Sequence, residues 1–324
     1  MVSLLTRSVN ILNAGFSYMA SSVSGRVTGH WMPVSAGIEL TNYCNLRCPE
    51  CLTGSGKMDR PAGFMQISLF ERITAELRPY LLNINLYFQG ESMMHPDFFY
   101  LIGKAGAIHA IVSTNGHFLT EENAEKLALS NLSKLIVSLD GMSAHTYSIY
   151  RKGGDFDTVI RGIEIISSAI KKRNSDLKLE IQFLVSRYNE GEIEKAKEFA
   201  DKVNALFKLK SMQIINKEEI GEWQPENKKY RRYKPENGKF RINSTLSNRC
   251  FRLWTNPVVT WDGKVVPCCF DKDASHIMGD LNISTFREIW NGEKYMEFRR
   301  SLLQGREKID ICNNCTTGLQ GVKY

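Results

Sequence analysis

The chain has 324 residues, 43% hydrophobic and 24% charged, with a net charge of +7. This is ordinary globular material, long enough to bury a core and matching about two domains at roughly 150 residues each. No run reaches the roughly 18 apolar residues of a membrane helix, and the modest charge gives no reason to expect a nucleic-acid partner.

In chain order, residues 1–33 are expected to form a helical extension. Met1–Ala20 carries one arginine and an apolar stretch broken by Asn10 and Asn13, which does not make a secretory signal. It reads as an amphipathic helix packed on the body, with a membrane-surface helix as the alternative. Residues 34–216 alternate short apolar runs with helical patterns. Strands are expected at Ala36–Leu40, Ile84–Phe88, Ala110–Ser113, Leu135–Ser138, Leu179–Val185 and Met212–Ile215. Helices are expected at Leu69–Leu81, Asp97–Ala107, Glu121–Leu129, Asp157–Lys172 and Glu190–Asn204. Successive βα units imply a parallel sheet with right-handed crossovers. The expected fold is therefore α/β, a partial (β/α)6 TIM-like barrel. A small C-terminal domain with a β-hairpin and helices is expected to follow.

Residues 217–248 are charged and aromatic with little periodicity, and read as a bridging segment. From Glu226 to Arg241 there are seven Lys/Arg against two Glu, a run that reads as a solvated face or an anion-binding patch. In the last unit, 249–324, Val258–Trp261 and Lys264–Pro267 flank Asp262-Gly263, a hairpin signature. Thr285–Asn291 and Lys294–Leu303 look helical.

The chain's eight cysteines fall into two sets. Close spacing in a large chain reads as metal binding in a reducing, cytoplasmic compartment rather than as disulfides. Cys44, Cys48 and Cys51 lie in "TNYCNLRCPEC" after the first strand. Structural zinc takes four protein ligands, whereas a cubane held by three thiolates leaves one iron free for another ligand. Chemistry on barrels of this class sits at the C-terminal ends of the strands. There the sequence places "QGES" (Gln89–Ser92), "STNG" (Ser113–Gly116), "SLDG" (Ser138–Gly141) and "SRYN" (Ser186–Asn189).

In spacing and position the cysteine loop resembles that of the radical S-adenosylmethionine (SAM) enzymes. The resemblance implies a [4Fe-4S] cluster that binds SAM and, when reduced by a donor such as flavodoxin or ferredoxin, cleaves it to a hydrogen-abstracting 5′-deoxyadenosyl radical. It further implies that Gly90 lets the backbone approach SAM and that Glu91 accepts from its ammonium. By the same resemblance Ser138 contacts the ribose and Arg151 clamps the carboxylate. Glu50 departs from the pattern, standing where many members carry an aromatic residue near the adenine.

Cys250, Cys268, Cys312 and Cys315 resemble the SPASM extension of these enzymes, which implies a second, auxiliary [4Fe-4S] cluster. Structural zinc is the alternative for four thiolates. Cys269 is left over, since neighbours on a strand face opposite ways. The resemblance implies an oxidoreductase or maturase acting on a small molecule or peptide. A methyltransferase, a rearrangement enzyme and a non-enzymatic iron–sulfur carrier are the alternatives. With 43 residues before Cys44, no separate leader-binding domain is expected ahead of the barrel.

Overall fold

A computed structural model of the chain describes residues 4–106 and 108–315. Met1–Ser3, the last residue of the helix expected over Asp97–Ala107 and the C-terminal residues 316–324 lie outside the described residues. Helix α1 (Leu4–Ser24) is followed by β1 (Ser35–Ile38), α2 (Ile67–Leu77), β2 (Asn83–Asn85), α3 (Phe98–Ala105) and β3 (His109–Thr114). Then come α4 (Glu121–Ala128), β4 (Leu132–Ser138), α5 (Ala144–Tyr150), α6 (Phe156–Arg173), β5 (Lys178–Val185), α7 (Ile193–Lys202) and β6 (Leu206–Ser211). Strands β1 to β6 pair in sequence order and in parallel, as a βα barrel requires.

The two faces of this sheet differ in chemistry. Outward-facing Ile38, Ile84, Val112, Val137 and Ile181 are fully buried beneath the helices. The inner face is polar: register places Ser138 beside Gln182, Gln182 beside Lys208, and Leu184 beside Lys210. A packed barrel fills its interior with branched apolar side chains. Here the inner wall stays accessible, which leaves room within the barrel for something other than protein.

The sixth strand lies earlier than its apolar run suggested. Met212 and Ile214 are buried beyond the strand's end, against Trp223 and Tyr233. The strand itself is "LFKLKS", whose Phe207 and Leu209 pack against Phe183 and Val185 while its lysines face inward. Helix α5 was not anticipated. Ser143 caps it by accepting from the Thr146 N–H, and its C-terminal end presents Arg151.

The bridging segment is more ordered than expected. It holds α8 (Ile220–Trp223) and a hairpin of β7 (Tyr233–Glu236) and β8 (Lys239–Ile242). Asn237 and Gly238 turn that hairpin at φ of 51° and 72°, the positive pair that favours Asn-Gly. The C-terminal part contains α9 (Arg252–Thr255), β9 (Val258–Val259), β10 (Lys264–Val266), β11 (Gly279–Asp280), α10 (Phe286–Trp290) and α11 (Glu293–Gly305). The expected hairpin forms, and it continues the barrel's own sheet: β9 pairs in parallel with β1, giving nine strands in the order β11-β10-β9-β1-β2-β3-β4-β5-β6.

Helix α1 packs on the body through its polar side. The Asn10 side chain accepts from the Met32 N–H at 2.8 Å and donates to Met32 O at 3.0 Å. Ser17 donates to Thr28 O and accepts from Trp254 Nε1. Its apolar side faces outward, the reverse of the expected packing.

Candidate functional site

Four of the five strand-following loops line one cavity of about 170 Å³ at the C-terminal ends of the strands. Its walls include Cys44, Cys48 and Cys51, together with Gly90, Glu91, Ser138 and Arg151. The fifth loop, Ser186–Asn189, buttresses instead: Asn189 Nδ2 donates to Asp140 O at 3.0 Å and to Leu184 O at 2.9 Å. A larger cavity, about 1010 Å³, lies around 174–179 and 202–206. That is the opposite, N-terminal end of the strands, where this architecture does not place its chemistry.

Gly90 lines the cavity and is also required within the protein. It sits at φ +74°, and a Cβ there would fall 2.6 Å from Tyr43 O and 2.7 Å from Asn42. The missing side chain lets the loop after β2 lie directly on the cysteine loop, so Gly90 packs protein on protein. The next residue completes the junction, the Glu91 N–H donating to Tyr43 O at 2.7 Å.

Glu91 is fully buried. Its Oε2 accepts from the Asn115 N–H at 2.7 Å and its Oε1 from the Met93 N–H at 3.1 Å. Burial raises its carboxyl above the usual range, and those backbone donors and Arg151 work the other way. A carboxylate held by two N–H groups keeps lone pairs for one more donor. Asn115, which sequence reasoning left unassigned, donates from Nδ2 to Asn45 Oδ1 at 2.7 Å and so braces the cysteine loop.

Arg151 reaches the cavity beside the cysteines, its Nη1 lying 3.8 Å from Cys48 Sγ. Burial would favour its neutral form, but Asp140 together with Cys48, Tyr150 and Tyr147 outweighs this and holds the guanidinium charged. Asp140, 1% exposed, accepts from Arg151 Nε at 2.6 Å on one oxygen and from the Leu184 N–H at 2.7 Å on the other. With Nε engaged by Asp140, the Nη1–Nη2 end of the fork lies on the cysteine side, at the cavity. The sequence showed Asp140 only as part of "SLDG"; its burial beside an arginine eleven residues on marks it as the group that aims Arg151.

Glu50 is drawn away from the cavity. It accepts from the Ile215 N–H, and burial, tempered by that bond, raises its carboxyl, with Glu219 adding to the shift. In place of an aromatic contact this position ties the cysteine loop to the exit of β6. The basic run is also partly consumed within the fold. Arg231 donates to Pro225 O and Glu226 O at 2.9 Å, and buried Arg232 donates to Ser211 and Asn314.

The second set also converges. Cys250, Cys268, Cys312 and Cys315 line one apolar cavity with Arg306. Burial raises the thiols of Cys250 and Cys268, and pushes Cys312 up to about 12, partly offset by Arg306. Cys269 is outside this group and accepts from Arg252 Nη1 at 3.2 Å. The divergence of Cys268 and Cys269 arises in the turn after β10 rather than from alternation along a strand. Burial likewise pushes Cys44 up to about 11. Buried thiols resist ionising alone, so a bound metal centre supplies the positive charge that thiolates need. Neither cavity has an imidazole in its walls, and among the described residues no three His, Cys, Asp or Glu close on a single metal ion. Sulfur-only donors spread around a space fit an iron–sulfur cluster.

A family model described as the radical SAM superfamily matches residues 38–200, and one for an iron–sulfur cluster-binding domain, SPASM, matches 250–316. The chain belongs to the radical SAM superfamily. It is 33% identical to the mycofactocin maturase MftC of Mycobacterium ulcerans over 180 residues, 55% of this chain and 47% of that one. The match thus spans about half that relative's length. It is 24% identical over 288 residues to the S-adenosyl-L-methionine-dependent 2-deoxy-scyllo-inosamine dehydrogenase of Niallia circulans, covering 86% of this chain and 90% of the relative. Among solved structures, BtrN in complex with AdoMet and 2-DOIA aligns with a TM-score of 0.57 at 19% identity, over 91% of this chain and 98% of that one. At that identity the likeness is one of fold.

Proposed function

We propose that this radical SAM protein is an oxidoreductase that takes a hydrogen atom from a small molecule or peptide. The cluster bound by Cys44, Cys48 and Cys51 would supply the reductive cleavage of SAM to a 5′-deoxyadenosyl radical. Arg151, aimed by Asp140, would hold the SAM carboxylate, where a planar fork matches two oxygens. Glu91 would accept from the SAM ammonium with its remaining lone pairs, and Ser138, at the end of β4, would meet the ribose. Cys250, Cys268, Cys312 and Cys315 would hold an auxiliary [4Fe-4S] cluster as electron acceptor, with flavodoxin or ferredoxin as the external donor.

The observation that carries the reading is the convergence, in one cavity, of three cysteines, Cys48 buried and Cys44 and Cys51 half-buried, with a buried carboxylate and an aimed guanidinium from separate loops. An iron–sulfur carrier has no use for that constellation. The test is anaerobic reconstitution with iron, sulfide, reductant and SAM, followed by assay for 5′-deoxyadenosine. Release by the wild type and none by the Cys44/Cys48/Cys51→Ala protein is expected. A reconstituted wild type that forms no 5′-deoxyadenosine overturns the reading.

A further inference from the structure

Along β4 to β6 the barrel's inner wall carries charge that the described residues leave unmatched. Lys134 on β4 is paired with Glu180 on β5 at 2.9 Å, and Glu180 also accepts from Gln182 at 2.7 Å. Lys208 and Lys210 share that face on β6, in register with Gln182 and Leu184, their backbone positions about 7 Å apart at two residues of strand. Counting exposed Lys178, in register with Lys134, four ammonium groups on this face of β4 to β6 stand against one carboxylate among the described residues. Burial and neighbouring Lys208 lower the affinity of Lys210 for its proton, so Lys210 holds its charge at an electrostatic cost. The other charges nearby face other groups: Arg252 faces Cys269 and the second cysteine set, Lys272 faces Cys51 and Glu50, and Glu39 is bound to Arg60. Tyr87, whose phenol burial pushes up to about 12, faces Glu180, Arg252 and Cys269 and also lines the SAM-side cavity.

We propose that Lys208 and Lys210 form an anion-binding wall within the barrel and select a substrate carrying a carboxylate or phosphate group. The inference rests on the reading of the barrel as a catalytic chamber. An anion there would offset the excess charge, and the lysines' flexible stems and point charges suit either group. The basic run Lys228–Lys234, with two arginines already bound within the fold, is not needed for this.

The test uses reconstituted holoprotein, without SAM, titrated anaerobically with pyrophosphate and, separately, with succinate by calorimetry. At least one probe is expected to bind the wild type at millimolar concentration or below. Lys208→Met and Lys210→Met should each weaken it about tenfold, the loss of one charged hydrogen bond, at unchanged iron content. Lys195→Met, an equal charge loss on the exposed side of α7, should leave it unaltered. Tighter binding of pyrophosphate marks a phosphorylated substrate, and tighter binding of succinate a carboxylated one. Absence of binding by the wild type, or equal binding by all variants, overturns the proposal. Because the titration omits SAM, its failure leaves SAM cleavage standing, and failed cleavage with intact anion binding counts only against the proposed function.

A second inference rests on α1. Leu5, Val9, Leu12, Phe16, Met19 and Val23 are 46–86% exposed, and at 100° per residue they fall within an arc of roughly 80°. A continuous exposed apolar stripe marks an interaction surface. Residues 4–38 contain no Asp or Glu, and Arg26 and His30 follow the helix, whereas Arg7 is turned to the body and donates to Arg78 O at 3.2 Å. We infer that this face rests on an anionic lipid surface, the arrangement of an interfacial helix. The full chain should float with phosphatidylcholine–phosphatidylserine vesicles. The double variant Leu12→Ser/Phe16→Ser, changed only at exposed positions, should partition more than about tenfold less. A wild type that ignores vesicles overturns the inference, as does one that is a dimer made monomeric by the double variant; the latter result makes the stripe a contact between two copies.

Discussion

Asp140→Asn separates the aiming of Arg151 from the building of the cysteine loop. Asparagine keeps the shape, and its Oδ1 can still accept from the Leu184 N–H. It loses the charge and turns an NH2 donor toward Arg151 Nε, where a carboxylate oxygen now accepts at 2.6 Å. Both side chains are largely buried, at 16% and 1% exposure, so solvent screens little of the loss. A hydrogen bond to a charged group is worth about 1.5–3 kcal/mol. If that cost falls on ligand binding, SAM affinity drops about 10- to 150-fold. Asp140→Ala, which removes one partner of a buried pair outright, should cost about 3–5 kcal/mol in stability and is the less informative variant. The assay is anaerobic SAM titration of the reconstituted protein, followed by the electron paramagnetic resonance of the reduced cluster, with iron measured in parallel. Unchanged SAM affinity at unchanged iron would refute the reasoning. Iron loss would instead assign Asp140 to the support of the cysteine loop.

Arg151→Lys should weaken SAM binding by at least about tenfold while leaving iron in place, because a point charge cannot reproduce a two-point clamp; calorimetry under argon checks this. Gly90→Ala should destabilise the junction with the cysteine loop by about 1–3 kcal/mol, the scale of a strained backbone position, and lower the iron retained, read by denaturant unfolding and metal analysis. Cys268→Ala should halve the iron and stop substrate turnover while some uncoupled SAM cleavage survives, whereas Cys269→Ala should leave iron content intact. In the Cys44/Cys48/Cys51→Ala protein, about four irons should remain per chain, as a second cubane requires; zinc with no iron would make the C-terminal site structural.

The barrel was legible in the sequence because its outward residues are apolar at period two and its loops are polar at strand ends. The cysteine loop was legible because thiolate spacing is a local property. What depended on contacts between distant segments was not. Asp140 and Arg151 are separated by a helix that nothing in "GMSAHTYSIY" advertises except the Ser143 cap. The sixth strand was displaced because Met212 and Ile214 form an apolar run beyond it, whereas in "LFKLKS" the alternation of the lysines with Phe207 and Leu209 is itself the strand pattern. The β7–β8 hairpin did carry a local signal, Asn237-Gly238, hidden among charges. The pairing of β9 with β1 joins residues more than 200 apart, and no periodicity specifies a neighbour.

That last pairing bears directly on the proposed chemistry. A carboxylate just beyond β1, Glu39, holds Arg60 through two bonds of 2.8 Å and accepts from the Trp261 N–H at 3.2 Å. Arg60 lies beyond the first cysteine set and Trp261 in the C-terminal hairpin. Arg60 also donates to Lys272 O at 3.1 Å, and the Asp59 N–H donates to Asp273 Oδ1 at 3.0 Å. The segment after Cys51 is therefore bound to the segment after Cys269 at several points, around a side chain with no solvent exposure. Two cysteine sets, some 200 residues apart in the chain, are fixed to one frame by ordinary sheet pairing and one buried ion pair. Electron transfer between two centres requires a set separation, and a substrate oxidised between them requires that neither wall drift.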